Sequence, residues 1–541
     1  MTFLQRMSFL FVLILCQPSL YADAVPFIAV QEALRQATDR DPLTTKSSQE
    51  KEVLAFYKER AFEPTWATPT GWSDAARVVR DTLNRAQEEG LDPKDYTRSI
   101  ALLEKIPQTP QDVLAAELAL TQDALSYIND LKGERLNPTK IGQPLYLKPD
   151  PVDAPMILAQ GITNDPTGIW FQKLTVPKEQ YQALKKLLAE YRAKLDADTK
   201  LPTIPVTGKL LKKGISAPDV ALLRTLLRAH GFDAGESARP EYFDDALESA
   251  LKQFQEASLL EDDGILGPQG RRALNRSVQD KLKQIIVSME RWRWLPEHMP
   301  ERYVLVNIAG FELYAYDGGH TALSMPVIIG RDYRKTPVFS STINSVRFNP
   351  SWGVPHSIAV KDKLPKLQSN PGYFVDKGYE IYDESGTQVD PRDVNWNEIS
   401  ASDFHYSLRQ NPGPANALGK IRFSIDSPFD VYLHDTSDPQ LFAKKVRTFS
   451  SGCIRVSKPA ELAFFVFHDT DKWPLEVIKK SMEGTQTRNV SLPSPVPVYI
   501  TYFTVWVGPE GHPEFRDDIY NQDAAIYQAL EKRASRAAEA V

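Results

Sequence analysis

Two side chains in this sequence have the types and spacing needed for nucleophilic acyl transfer. Cys453 lies in Arg447-Thr-Phe-Ser-Ser-Gly-Cys-Ile-Arg-Val456, and His434 lies in Val431-Tyr-Leu-His-Asp435, a short polar connection upstream. A thiol attacks a carbonyl as thiolate, so it needs a base. A nearby imidazole takes the proton and, as imidazolium, holds an ion pair that lowers the thiol pKa. Gly452 has no Cβ, which lets a substrate carbonyl approach the backbone; the amides of Gly452 and Cys453 are then candidate donors to an oxyanion. Spacing alone leaves a second reading open, because an unpaired cysteine is also among the most commonly buried side chains.

The cysteine count sharpens that choice. The chain has two cysteines, and the other, Cys16, falls in the apolar run Met7 to Cys16, behind Arg6 and ahead of Ala22-Asp-Ala24. This pattern reads as a secretory signal peptide over residues 1–24, which places the mature protein in the periplasm and removes Cys16. Leu15 stands where a lipid-modified cysteine would follow a small residue, so a lipoprotein is not expected; an uncleaved leader would instead act as a membrane tether. No later stretch approaches the roughly 20 apolar residues of a membrane span. A solitary thiol in an oxidising compartment forms no internal disulfide, so Cys453 is either packing or a thiol with a task.

Composition excludes other classes. The 541 residues are 42% hydrophobic and 25% charged with a formal net charge of -6, an ordinary globular balance whose field has no attraction for polyanions, so nucleic acid is not an expected partner. No two histidines lie within about 20 positions of each other and no paired-cysteine motif occurs, so neither a metal centre nor another cofactor is expected. Gly413-Pro-Ala-Asn-Ala-Leu-Gly-Lys420 is one residue too long for a phosphate loop, and Ile421 replaces its metal-binding hydroxyl. Ser48-Gln-Glu-Lys51 has the spacing of the serine penicillin-binding enzymes but has no Lys-Thr-Gly partner.

The elements that must position the pair come late in a chain long enough for roughly two to four domains. Residues 25–205 read as a helical scaffold, with helical spacing in Asp74 to Leu83 and in Val113 to Leu131. Leu201-Pro-Thr-Ile-Pro205 reads as a linker. Residues 206–280 form a small three-helix module with Asp219 as an N-cap, residues 281–510 a mainly β domain, and 511–541 a helical tail. The strands expected include Tyr303–Ile308, Phe311–Tyr316, Met325–Ile329, Val431–Leu433 and Val496–Tyr502. Residues of about 362–415 are polar, rich in Pro, Gly and Asn and poorly periodic; they read as a long, lid-like insertion.

Two stretches resemble known families. Gly214, Val220, Leu223, Leu227, Gly231, Phe243-Asp244, Phe254-Gln255 and Asp263-Gly-Ile-Leu-Gly267 resemble the peptidoglycan-binding module of wall enzymes. From Met289 to Asp523 the chain resembles the L,D-transpeptidase catalytic domain, in its large form with a helical scaffold. Matching features are Glu290-Arg-Trp-Arg-Trp294, Val306-Asn307, Thr336-Pro337, Asn349-Pro-Ser-Trp352, Gln410-Asn-Pro-Gly-Pro-Ala-Asn-Ala-Leu-Gly419, Tyr432-Leu-His-Asp-Thr436 and Ser450-Ser-Gly-Cys-Ile-Arg455. The fold implied is multidomain α+β.

The resemblance implies Cys453 as nucleophile and His434 as base, the latter oriented by a backbone carbonyl rather than by Asp435. It implies peptidoglycan stem peptides and glycan as partners, release of D-alanine, a 3→3 cross-link, and carbapenem β-lactams as covalent inhibitors. Gly452 joins the catalytic set, and Ser451, Arg455, Tyr432, Trp352 and Asn416 are the candidate substrate-binding side chains. Arg455 has the alternative of orienting the loop, and Tyr432 and Trp352 that of core packing. Ser451 stands where many members have His, and Ser457-Lys458 where many have Asn, so the roles of those positions do not transfer. Hydrolysis by water, attachment of a protein amine, and a non-catalytic wall-binding scaffold are the rival outcomes.

Overall fold

The computed structural model describes residues 27–38, 47–68, 71–104, 109–196, 201–468, 471–508 and 511–539. The signal peptide read at residues 1–24, with Cys16, lies outside them. Among the described residues, no helix is long and apolar enough to cross a membrane.

Residues 27–196 are mostly helical, and their helices begin where side chains satisfy the first amides. Ser73 accepts from the Ala76 amide at the head of Asp74–Asn84; Thr109 and Asp112 cap each other ahead of Pro110–Leu131, which has proline at its first position. Val113, Ala116, Leu120, Ala124 and Ile128 of the latter helix bury one face in a core shared with Trp66, Val79, Leu83 and Phe171. Packing does not break at residue 205. Tyr181, Leu184 and Leu188 of helix Glu179–Asp196 share one core with helix Val278–Arg293 and the β domain. The terminal helix Gln522–Glu539 also returns to the helical region, where Arg533 pairs with Asp130 at 2.6 Å.

The small module has the three expected helices, Pro218–Ala229, Asp245–Ala257 and Pro268–Leu274, around Val220, Leu223, Leu227, Phe243 and Phe254. Its first helix corrects one expectation. Asp219 is not the N-cap: Pro218, with φ preset and no N–H to satisfy, starts the helix after Ala217, and the Asp219 carboxylate instead accepts from buried Arg271 at 2.8 Å.

The β domain is built on nine strands: β1 (Arg302–Asn307), β2 (Glu312–Asp317), β3 (His320–Gly330), β4 (Phe339–Phe348), β5 (Ile421–Ile425), β6 (Leu433–His434), β7 (Thr448–Ser450), β8 (Ile454–Val456) and β9 (Arg488–Thr501). Their order is β7-β3-β8-β6-β5-β4-β9-β1-β2, and β3 also pairs with β2, which closes the sheet on itself. The parallel pair β6–β8 aligns Leu433 with Ile454 and His434 with Arg455.

The insertion, read as a polar and poorly periodic stretch, has regular structure of its own. It is a packed subdomain with its own sheet, in the order Trp352–Gly353, Ser407–Gln410, Tyr379–Tyr382, Gln388–Val389. Its core of Leu364, Leu367, Phe374, Ile381, Trp396, Phe404 and Leu408 extends from Trp352 to Leu418, beyond both expected limits. Aromatic side chains scattered among turns bury as much surface as a regular stripe does, but leave no period in the sequence.

Candidate functional site

Cys453 is placed by a loop that folds on itself. Ser450 Oγ donates to the Cys453 carbonyl at 2.6 Å and accepts the Gly452 amide at 3.1 Å, while the Thr336 hydroxyl donates to the Gly452 carbonyl at 2.9 Å. Gly452 has φ +121°, a conformation that side-chain-bearing residues rarely adopt. This refines the oxyanion expectation: the Gly452 amide is engaged by Ser450, whereas the Cys453 N–H has no acceptor among the described residues and is the amide left to meet an oxyanion.

The β6–β8 register puts His434 and Cys453 on the same face, one strand apart and two positions out of step. His434 is buried, 4% exposed. Its Nδ1 faces the Asp435 main-chain carbonyl at 2.5 Å, so this nitrogen carries the proton of a neutral ring and Nε2 has the lone pair. Asp435 offers its carbonyl and not its carboxylate, which accepts instead from the Lys420 amide at 2.8 Å. No hydrogen bond joins His434 to the sulfur here. Cys453 Sγ faces the Asp430 carbonyl at 3.7 Å and receives the amide and phenol of Tyr432. In unliganded sites such contacts often tighten only when substrate arrives.

Burial favours the neutral form of both groups. Burial pushes the Cys453 thiol up to about 11, against smaller opposing effects of the Tyr432 bonds, Arg455 and Arg422; burial also pulls the His434 imidazole down to about 3. Both shifts run against the thiolate–imidazolium pair that the residue types suggested, because burial desolvates both charged forms. The expected consequence is that alkylation of Cys453 by iodoacetamide accelerates with pH towards about 11 instead of levelling near 9.0. Tyr432→Phe, which removes a donor that favours the thiolate, shifts that midpoint further up. Rates of mass gain across a pH series test both statements, and a plateau near neutral pH contradicts them.

The other expected site residues divide. Ser451 Oγ accepts from Arg334 Nη1 at 2.9 Å, and the same guanidinium pairs with Asp362 of the insertion, so Arg334 ties the nucleophile loop to the subdomain beside it. Arg455 reaches Thr436 Oγ1 at 3.3 Å and Asp438 at 3.6 Å, which braces the connection after β6. Tyr432 is at the thiol. Trp352 is a core side chain of the insertion that reaches the site only through its bond to Tyr432. Asn416 is not a substrate-binding residue: it is 1% exposed, its amide donates to the Pro350, Gln410 and Asn411 carbonyls, and its oxygen accepts the Leu418 amide. Every polar atom of it is committed to the turn ahead of β5.

Sequence reasoning gave no role in the site to Arg334, Asp362 or, although it stands in the matching motif, Ser450. A serine repeated before Gly-Cys was the only signal for any of them. A cavity of about 430 Å³ lies elsewhere, lined by Leu131, Met156, Lys178 and Leu295, and shares no residue with the thiol site.

Residues 51–188 match a family described as a scaffold domain, 216–274 one described as "Putative peptidoglycan binding domain", and 301–478 one described as an L,D-transpeptidase catalytic domain. A Haemophilus influenzae protein named "Putative L,D-transpeptidase" is 33% identical over 244 residues, 45% of this chain and 49% of its own, so the chain spans about half the length of that curated relative. Among solved structures, an L,D-transpeptidase of Xylanimonas cellulosilytica aligns over 55% of this chain and 99% of its own, with 13% identity and a TM-score of 0.18. L,D-transpeptidase 3 of Mycobacterium tuberculosis, in complex with a faropenem-derived adduct, aligns over 38% and 62% with 15% identity and a TM-score of 0.18. Likenesses at that score carry no argument about this chain.

Proposed function

We propose, from the membership of residues 301–478 in the L,D-transpeptidase catalytic-domain family, that this chain acylates Cys453 with a peptidoglycan tetrapeptide stem and passes the acyl group to an amine, forming a 3→3 cross-link. The observation that carries the reading is the placement of a partly exposed thiol beside a buried imidazole whose Nδ1 is held by a main-chain carbonyl. The reaction begins from two neutral partners. As Sγ bonds to the carbonyl carbon between the third residue and the terminal D-alanine, the thiol proton passes to His434 Nε2 and the carbonyl oxygen, now negative, meets the Cys453 amide. The C–N bond then breaks, and the imidazolium returns its proton to the leaving amine of D-alanine. An amine of a second stem attacks the thioester and gives its proton to His434, which passes it to the departing sulfur, so that the thiol and the neutral imidazole are restored.

His434 does not need a high pKa for this, because it holds the proton only between taking it from the attacking sulfur or amine and returning it to the departing nitrogen or sulfur. Export to the periplasm belongs to the same reading, since the substrate lies there, as does anchoring of the wall by residues 216–274. The test is to incubate purified protein with tetrapeptide muropeptides and weigh the products. Dimers lighter by one D-alanine are expected. Tripeptides alone would instead make water the acceptor, and unchanged substrate would leave a wall-binding scaffold.

A further inference from the structure

The sheet that carries His434 has two unlike faces. Towards the core stand Val346, Phe348, Phe423, Leu433 and Ile454, each at most 1% exposed. On the other face the register aligns Arg347 with Arg422, Arg422 with His434, and His434 with Arg455, so three guanidiniums share one row with the imidazole. Arg455 is engaged by Thr436 and Asp438, as described above. Arg347 and Arg422 are not. Like charges directly opposite each other destabilise a sheet, and no carboxylate offsets this pair: among the described residues neither arginine forms an ion pair, and the buried Nε of each has no acceptor.

Arg422 Nη2 meets only the Ser424 hydroxyl at 3.3 Å, and its guanidinium lies 5.0 Å from the centroid of the Tyr432 ring, the ring whose phenol contacts the thiol. The adjoining positions on this face, Ser345, Ser424 and Asn489, are small or neutral, and both arginines remain partly exposed. Two neighbouring arginine forks without an ion-pair partner, on a row that leads to His434, are suited to bidentate binding of carboxylate. They lie about one and two strand spacings, roughly 5 and 10 Å, from His434, a span matched by one to three residues of extended peptide.

We propose that Arg347 and Arg422 form a carboxylate subsite of the acyl-donor groove, holding a free carboxylate of the stem a residue or two from the carbonyl that Cys453 attacks. The inference rests on the reading of Cys453 as donor-site nucleophile. It assigns donor selectivity to a charge pair on β4 and β5, outside the Cys and His segments, and it predicts that amidation of the stem carboxylates weakens recognition.

The test compares acylation of the full chain by a tetrapeptide stem with free carboxylates and by the same peptide with internal carboxylates converted to carboxamides. Arg347→Met and Arg422→Met are expected to lower kcat/KM for the acid donor about 10- to 100-fold, mainly through KM, with little change for the amidated donor; Arg422→Lys recovers part of the loss. Iodoacetamide alkylation of Cys453 needs no carboxylate and monitors the integrity of the site. If Arg422→Met loses it, Arg347→Met and Arg422→Lys decide the outcome. Equal losses on both donors, or none on the acid donor, overturn the subsite. Native protein that forms no acyl-enzyme with either donor overturns the donor-site reading itself.

Discussion

Cys453→Ala is expected to abolish covalent acylation and to lower turnover of a stem-peptide donor by a factor on the order of 10⁴ or more, since no other group nearby can carry the acyl chain. The fold should be indifferent to the change. The sulfur's contacts are a long approach to the Asp430 carbonyl and the bonds from Tyr432, and the loop conformation is set by Ser450, Gly452 and Thr336. A carbapenem is the sharper probe because its ring opening leaves a stable adduct: native protein gains the inhibitor's mass and the alanine variant gains none. Equal gains in both would place the reactive group elsewhere, and no gain in either would favour the non-catalytic scaffold. His434 enters the comparison differently. Removing it leaves a thiol that still alkylates at high pH but has lost its proton acceptor for attack on an amide.

How much of this was legible beforehand follows from what each feature demands of residue type. Cys453 and His434 stand out in the sequence because only a few side chains do nucleophilic chemistry and the other of the two cysteines lies in the segment that reads as a leader. The long helices were legible because caps such as Thr109 with Asp112 and apolar spacing such as Val113, Ala116 and Leu120 are local signals. What brings His434 to Cys453 is not local. β6 is two residues long, and its parallel pairing with β8 depends on the whole ring closing through β3. Asn416 was read as a substrate contact because a polar motif reads alike whether it binds a ligand or, as its side chain does, the main chain at Pro350, Gln410, Asn411 and Leu418. The Arg347–Arg422 pair was invisible for the same reason as the register: the two residues sit on strands separated by the entire insertion.

Gly330→Ala tests whether that long-range packing sets the chemistry. Gly330 ends β3, where the nucleophile loop crosses it; a Cβ there would stand 2.1 Å from the Arg334 carbonyl oxygen, 2.9 Å from the Thr336 nitrogen and 3.1 Å from the Gly452 Cα. All three obstacles are backbone, so no side chain can rotate away, and the methyl must displace either the Arg334–Thr336 turn or the loop that holds Cys453. Overpacking of this kind costs about 1–3 kcal/mol, which a chain with several cores can bear. The reaction is less tolerant, because a displacement near 1 Å at the nucleophile is worth about 10² in rate. Gly330→Ala is therefore expected to lose about 10²-fold in acylation by a stem donor while iodoacetamide still reaches the thiol. Gly508→Ala, whose added Cβ meets nothing closer than 3.6 Å, should keep native activity. Acylation and alkylation rates for both variants, with the thermal midpoint, distinguish the cases: native acylation in Gly330→Ala would show that the loop position relative to β3 does not matter, and loss of alkylation as well would show that the loop had collapsed rather than shifted.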